Sequence, residues 1–290
     1  MGVDNTCCIC QRAVGPGAGV ETASVRSNVR PLHTREFSLW RCPACRSIHA
    51  AGAVDLDEAY RSYPFFGRKL DFFLRCGYRR LTRRLRRTGL QRGQRVLDFG
   101  CGSGLLVQYL RENGFDAAGF DPYSPDHDDR ARLDRTYDAV IAQDVLEHAE
   151  DPLAVRGRLD ALAEPGGLIA IGTPNADGID LARAGQFVHS LHQPYHRHIL
   201  ALEALLEAAR GLGWLLLRTY PTPYLNMPLL SVPLLHYYMR CFDGTINVLF
   251  ERPVKSLRLW LSPETAFWLV LGYWFCGDAD VFAIFRKPTA

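Results

Sequence analysis

The chain has 290 residues, of which 48% are hydrophobic and 22% charged, and its formal net charge is +3. That composition excludes a disordered or low-complexity chain and supplies enough apolar surface for one large domain with additions. The near-balanced charge makes no global demand for a nucleic-acid partner.

In chain order, the opening MGVDNTCCICQR has no apolar signal core. The longest apolar stretch, TAFWLVLGYWFCG at 265–277, is too short for a transmembrane helix, so a cytoplasmic location is expected. Nine cysteines in that compartment point to metal ligands or buried thiols rather than disulfides. CCIC (7–10) and CPAC (42–45) form two C-x2-C pairs separated by 31 residues. Paired cysteines on tight turns suit a structural tetrahedral zinc site with Cys7, Cys10, Cys42 and Cys45 as ligands. Cys8 competes with Cys7 for one of those places, and free thiols in an irregular arm are the bland alternative. Residues 1–56 are accordingly expected to form a zinc-binding module.

Residues 57–94 read as a basic helical lead-in. Within FGRKLDFFLRCGYRRLTRRLRRTG (66–89), Leu70, Leu74, Tyr78, Leu81 and Leu85 share one helical face, arginine fills the other, and Gly89 ends the helix. From residue 95 apolar strands alternate with amphipathic helices: RVLDFG, LLVQYLREN, DAAGFD, YDAVIAQ, PLAVRGRLDALA, GGLIAIGTP, ALEALLEAARGLG, WLLLRTY and DVFAIFRK. This alternation predicts an α/β domain over 95–290 with a parallel sheet covered on both faces. An apolar insertion at 222–277 is too long for a plain loop.

The first of those strands runs into Asp98, Gly100, Gly102 and Gly104. A glycine-rich turn after the first strand exposes backbone N–H groups at a helix N-terminus, where an anionic group can approach. A dinucleotide fingerprint would need glycine or alanine where Leu105 stands, so it fails.

The D-x-G-x-G-x-G spacing instead resembles the first motif of class I S-adenosylmethionine-dependent methyltransferases. Asp121, 17 residues after Gly104 in GFDPY, stands where that family's ribose-binding acid belongs. YDAVIAQDVLEHAEDP (137–152) and LAEPGGLIAIGTPN (162–175) are similar to the corresponding segments of "VLEH" methyltransferases of the ubiquinone O-methyltransferase type. The resemblance implies a Rossmann-like sheet, seven-stranded and mostly parallel. It assigns S-adenosylmethionine to Asp98, Gly100, Gly102, Gly104, Asp121, Gln143 and Asp144. Only fifteen residues separate Asp121 from Tyr137, so the sheet should be shortened around its third strand. Asp126, Asp128 and Asp129 are the adenine-contact candidates there, and a solvated acidic loop explains them equally. The cysteine module followed by YRSYPFF (60–66) looks like the lead-in of bacterial methyltransferases acting on sugars, glycans or natural products. Less closely, it is similar to some ribosomal RNA methyltransferases.

Methyl transfer to oxygen gains from a general base. Four of the nine histidines, His189, His192, His196 and His198, fall in FVHSLHQPYHRHIL (187–200). His196 is the first choice for the base, with His192 and His148 as the other catalytic candidates. In the resembling family, acids and a histidine at the spacing of Asp144, Glu147 and His148 can hold a divalent cation. Here the preferred reading is that Glu147 and His148 cap and orient the next helix. The expected activity is O-methylation of a small molecule, sugar or lipid-linked glycan. The rivals are an RNA base methyltransferase, favoured by the nine arginines between 75 and 95, and a non-catalytic cofactor-binding regulator. The insertion could be a lid, a homodimer face or a peripheral membrane contact.

Overall fold

The computed structural model describes residues 5–14, 19–55, 69–223, 225–227, 229–251, 259, 261–275, 277 and 279–289. The YRSYPFF segment at 60–66 lies outside them.

The N-terminal region begins with a short hairpin, β1 (Asn5–Thr6) and β2 (Ala13–Val14), followed by β3 (Thr22–Arg26), β4 (Glu36–Arg41) and β5 (Ile48–Ala50). The lead-in helix α1 (Phe72–Arg86) starts where the Asp71 carboxylate caps the N–H of Leu74 at 2.8 Å. Leu74, Tyr78, Leu81 and Leu85 are buried as their spacing predicts, but so is Arg84. The remaining elements are β6 (Arg95–Phe99), α2 (Leu105–Glu112), β7 (Asp116–Phe120), β8 (Tyr137–Gln143), α3 (Pro152–Leu162) and β9 (Ala163–Pro174). They continue with α4 (Val188–Leu191), β10 (His198–Ile199), α5 (Leu202–Arg210), β11 (Leu215–Tyr220), α6 (Val232–Arg240), α7 (Pro263–Leu271) and β12 (Asp280–Arg286).

The central sheet runs β11-β12-β9-β8-β6-β7. Its β7, β6, β8 and β9 are parallel neighbours, and β12 and β11 are added antiparallel. Successive side chains of a strand point to opposite faces. Leu97, Val140, Ile169, Ile171 and Phe285 therefore enter one core with α3 and α5. Val96, Ile141, Leu168, Ala170 and Ile284 enter the other with α1 and α2. Burial on both faces is why these strands are apolar almost throughout.

The sheet has six strands among the described residues, not seven. Between Phe120 and Tyr137 the chain makes a turn and a single 3-10 segment, Arg130–Leu133, in place of the third strand and its helix. Asp129 is used there structurally. It accepts from the N–H of Ala131 at 3.1 Å and pairs with Arg132 at 2.9 Å.

The N-terminal region does not stand apart from this domain. Its sheet runs β10-β5-β4-β3, so the edge strand His198–Ile199 comes from beyond β9 in the chain, pairing His198 with His49. Val25, Leu39 and Ile48 belong to the same hydrophobic cluster as Leu159 and Leu205. The insertion is tied to both parts. Arg84 donates to the carbonyl of Thr222 at 2.9 Å and lies 4.4 Å from the ring of Tyr220. Arg30 pairs with Asp243 and Glu251, and the carbonyl of Asn28 accepts from Ile246 N–H at 2.8 Å. Phe267, Val270, Leu271, Trp274 and Phe275 remain exposed on the insertion. No helix among the described residues is long and apolar enough to cross a membrane.

Candidate active site

At the carboxyl end of β6 the chain turns through Gly100, Gly102 and Gly104, all with positive φ. Their needs differ. A Cβ on Gly100 would lie 2.5 Å from a Val145 methyl carbon, and one on Gly104 would lie 2.2 Å from His127 Nε2. A Cβ on Gly102 would meet nothing within 4 Å, so the loop's tip opens on space that a ligand can enter. The Asp121 carboxylate, at the end of β7, accepts from Gly102 N–H through Oδ2 and from Tyr123 N–H through Oδ1, both at 2.8 Å. Each carboxylate oxygen can accept a second bond, so the pair can still receive two hydroxyls. Asp98 is buried below the loop, and burial, with the charge of Asp121, pushes its carboxyl up to about 7.

Gln143 and Asp144 sit at the end of β8. Gln143 Nε2 donates to Asp144 Oδ1 at 2.9 Å, and Asp144 has φ +55. Burial pushes Asp144 up to about 6 and, with the charge of Asp144, Asp280 up to about 7. Glu147 is fully buried, accepts from Thr173 Oγ1 at 3.0 Å, and is also pushed up by burial and by Asp144. It caps no helix: α3 is capped by Asp151, whose Oδ1 accepts from Leu153 and Ala154 N–H. The capping role expected for Glu147 and His148 is therefore corrected.

His148, His192 and His196 converge. The His196 ring lies 4.8 Å from His148 and 5.0 Å from His192, centroid to centroid. Backbone pairing brings the two segments together, because Arg197 N–H donates to the carbonyl of Glu147 at 2.6 Å. The His196 Nδ1–H donates to the carbonyl of Ser190 at 2.8 Å, so Nε2 carries the lone pair of the neutral ring. Asn28 donates through Nδ2 to His189 Nδ1 at 3.0 Å, which leaves its Oδ1 to accept from His192 Nδ1–H at 2.7 Å. Burial holds all three rings down: His196 is lowered to about 4, and His148 and His192 lie well below the usual imidazole range. Glu147, His148 and His196 bring a carboxylate oxygen and two ring nitrogens within 4.8 Å of one another.

The two C-x2-C turns share one geometry. Cys7 accepts from Gln11 N–H and Cys42 from Arg46 N–H through their carbonyls, and Gln11 and Arg46 both take a left-handed conformation. The four sulfurs of Cys7, Cys10, Cys42 and Cys45 lie within 4.8 Å of one another, with Cys7–Cys45 at 3.6 Å and Cys10–Cys42 at 3.8 Å. Four sulfurs at about 2.3 Å from a tetrahedral zinc would stand roughly 3.8 Å apart, so the set fits that ion. Cys7, not Cys8, completes it.

Residues 71–219 match a protein family described as a methyltransferase domain. The chain belongs to that family. This S-adenosylmethionine-dependent methyltransferase is 29% identical to the ubiquinone biosynthesis O-methyltransferase of Rhodopseudomonas palustris strain HaA2 over 136 residues, 40% of this chain and 54% of the relative. It is 31% identical to that of Bradyrhizobium diazoefficiens over 137 residues, 38% of this chain and 54% of the relative. The methyltransferase thus spans about half the length of the curated relatives it matches. Among solved structures it is similar to magnesium protoporphyrin IX methyltransferase of Synechocystis PCC 6803 with bound SAH, at a TM-score of 0.42 and 19% identity. That match covers 57% of this chain and 86% of the other. Phosphoethanolamine N-methyltransferase 2 of Haemonchus contortus matches at a TM-score of 0.45 and 16% identity, covering 93% of this chain and 69% of the other.

Sequence reasoning missed Asn28 and Arg84. A polar residue between a strand and a turn carries no signal of the histidines it will meet. Arg84 stands one position before Leu85 on the helical repeat, at the margin of the apolar stripe, and that was the available hint. Of the other arginines of α1, Arg75 pairs with Glu112, and Arg80 bonds the carbonyl of Asn226. Arg79, Arg83 and Arg86 line, with Arg92, a cavity of about 500 Å³ on the α1–α2 face.

Proposed function

We propose that this methyltransferase methylates a hydroxyl of a small molecule, a sugar or a lipid-linked glycan. The observation that carries the reading is the neutral histidine cluster joined by backbone pairing to the end of β8, with His196 presenting a lone pair on Nε2. The bound cofactor supplies a methyl group on a sulfonium, ready for in-line displacement. Gly102, Asp98, Asp121, Gln143 and Asp144 would hold it, and the open space over Gly102 fits its approach to the backbone. His196 Nε2 takes the proton that the acceptor hydroxyl loses as its oxygen attacks. The Ser190 carbonyl holds the ring in the required tautomer and stabilises the imidazolium that forms. His192, oriented by Asn28, and His148 border the same site and help to exclude water.

Cys7, Cys10, Cys42 and Cys45 would bind a structural zinc, leaving no open position for chemistry. In this reading residues 1–56 are the zinc module, 57–94 the lead-in and 95–290 the methyltransferase domain, with the insertion 222–277 reaching the acceptor side. His236 of the insertion supports that placement, because it stacks on His189 at 4.7 Å. Incubating the protein with methyl-labelled cofactor and separate small-molecule, glycolipid and RNA fractions tests the proposal. A methyl ether in the first or second fraction is expected. A methylated nucleobase as the main product would overturn it.

A further inference from the structure

Cys8, left out of the four-cysteine set, belongs to a second cluster. Its sulfur lies 3.5 Å from His198 Nδ1 and 3.9 Å from His49 Nδ1, and the two Nδ1 atoms are 3.0 Å apart. A zinc with metal–nitrogen bonds of about 2.0–2.1 Å and a metal–sulfur bond of about 2.3 Å needs tetrahedral separations of roughly 3.3 Å for N···N and 3.6 Å for N···S. The triangle matches those lengths to within a few tenths of an ångström.

The hydrogen bonds around the cluster favour a cation. His49 Nε2 lies 3.2 Å from Cys7 Sγ, the distance at which a ring N–H supports a metal-bound thiolate, and this leaves Nδ1 with the lone pair. His198 also turns its Nδ1 toward Cys8 and His49, so in its Nε2–H tautomer a second lone pair faces that of His49, and a cation between the two nitrogens would satisfy both. Trp40 stacks on His49 at 4.4 Å and fixes its plane. Asp151 acts electrostatically on both Cys8 and His198 and would offset the surplus positive charge; Arg197 opposes it at His198.

We propose that Cys8, His49 and His198 form a second zinc site, distinct from the four-cysteine site and linked to it through His49. Three protein ligands leave one coordination position for water or another ligand. The three ligands come from the first cysteine turn, β5 and β10. A metal there would pin the strand that follows the loop carrying His192 and His196 to the N-terminal module.

Elemental analysis of the full chain, grown with zinc and freed of loose metal by gel filtration, tests this. Two zinc ions per chain are expected in the wild type and one in Cys8→Ala and in His198→Ala. Cobalt substitution gives a second readout. The wild-type minus His198→Ala difference spectrum should show a tetrahedral centre with a single thiolate charge-transfer contribution. One zinc in the wild type, unchanged in both variants, would overturn the proposal, as would two zincs retained in both. If Cys8→Ala also disturbs its neighbour Cys7, His198→Ala decides, since its ligand comes from another element. Loss of anything but one zinc in that folded variant counts against the site.

Discussion

Gly102→Ala separates the cost of backbone strain from the cost of blocking a ligand. Gly102 has φ +52, and an added Cβ would touch nothing within 4 Å. The fold therefore suffers only the left-handed penalty of a non-glycine residue, about 1–2 kcal/mol. For a domain of this size that lowers Tm by roughly 2–8 °C. The cofactor loses more. A methyl group at the loop's tip keeps the ligand from approaching the backbone, which disrupts one hydrogen bond to a charged group, worth about 1.5–3 kcal/mol. Affinity for S-adenosylmethionine should fall roughly tenfold to a hundredfold or more. Gly93→Ala is the control, since Gly93 has φ +82 and equally open surroundings but lies before β6, away from the loop. Calorimetry of unfolding and of cofactor binding should give both variants a similar drop in Tm, with only Gly102→Ala losing affinity. Wild-type affinity in Gly102→Ala would refute the assignment of the cofactor to this loop.

His196→Ala should lower the single-turnover rate by roughly a hundredfold while cofactor affinity stays unchanged. Because burial lowers this imidazole to about 4, the wild-type rate should stay level as pH falls through 6.5 and decline only near the lower value. Asp98, raised to about 7, gains its charge as pH rises, so affinity for the cationic cofactor should increase from pH 6 to 8 and lose that dependence in Asp98→Asn. Cys42→Ser should release the zinc of the four-cysteine site, seen by elemental analysis, and destabilise the N-terminal sheet. Arg84→Ala should lower stability by about 1.5–3 kcal/mol in urea denaturation, because the Thr222 carbonyl loses a charged donor.

The strand–helix alternation from residue 95 was legible because each strand is a short apolar run closed by glycine, aspartate or proline. Gly100, Gly102 and Gly104 were legible because positive φ is cheap only for glycine. The two cysteine turns were legible from spacing alone. What stayed hidden depends on contacts distant in sequence. His198–Ile199 is a two-residue strand with no periodicity of its own, and only its partner Ile48–Ala50 makes it one. The missing third strand showed as a shortage of residues between Asp121 and Tyr137, yet the sequence still allowed a reduced strand there. The histidines of 187–200 could be singled out as a group. The convergence of two of them, His192 and His196, on His148 could not, since it follows from the Arg197–Glu147 backbone bond.

The pairing of His198 with His49 spans 149 positions of the chain, which sets an order of events during synthesis. Strands β3, β4 and β5 leave the ribosome early, but the strand that covers the β5 edge follows only after most of the central sheet has been made. At about 5–20 residues per second, that edge waits roughly 7–30 s with its N–H and C=O groups unpaired. An uncovered edge is a template for wrong partners. The N-terminal sheet is therefore translated first yet closed only after β9 of the central sheet has been made, and a nascent chain stalled before residue 198 would display an open sheet edge.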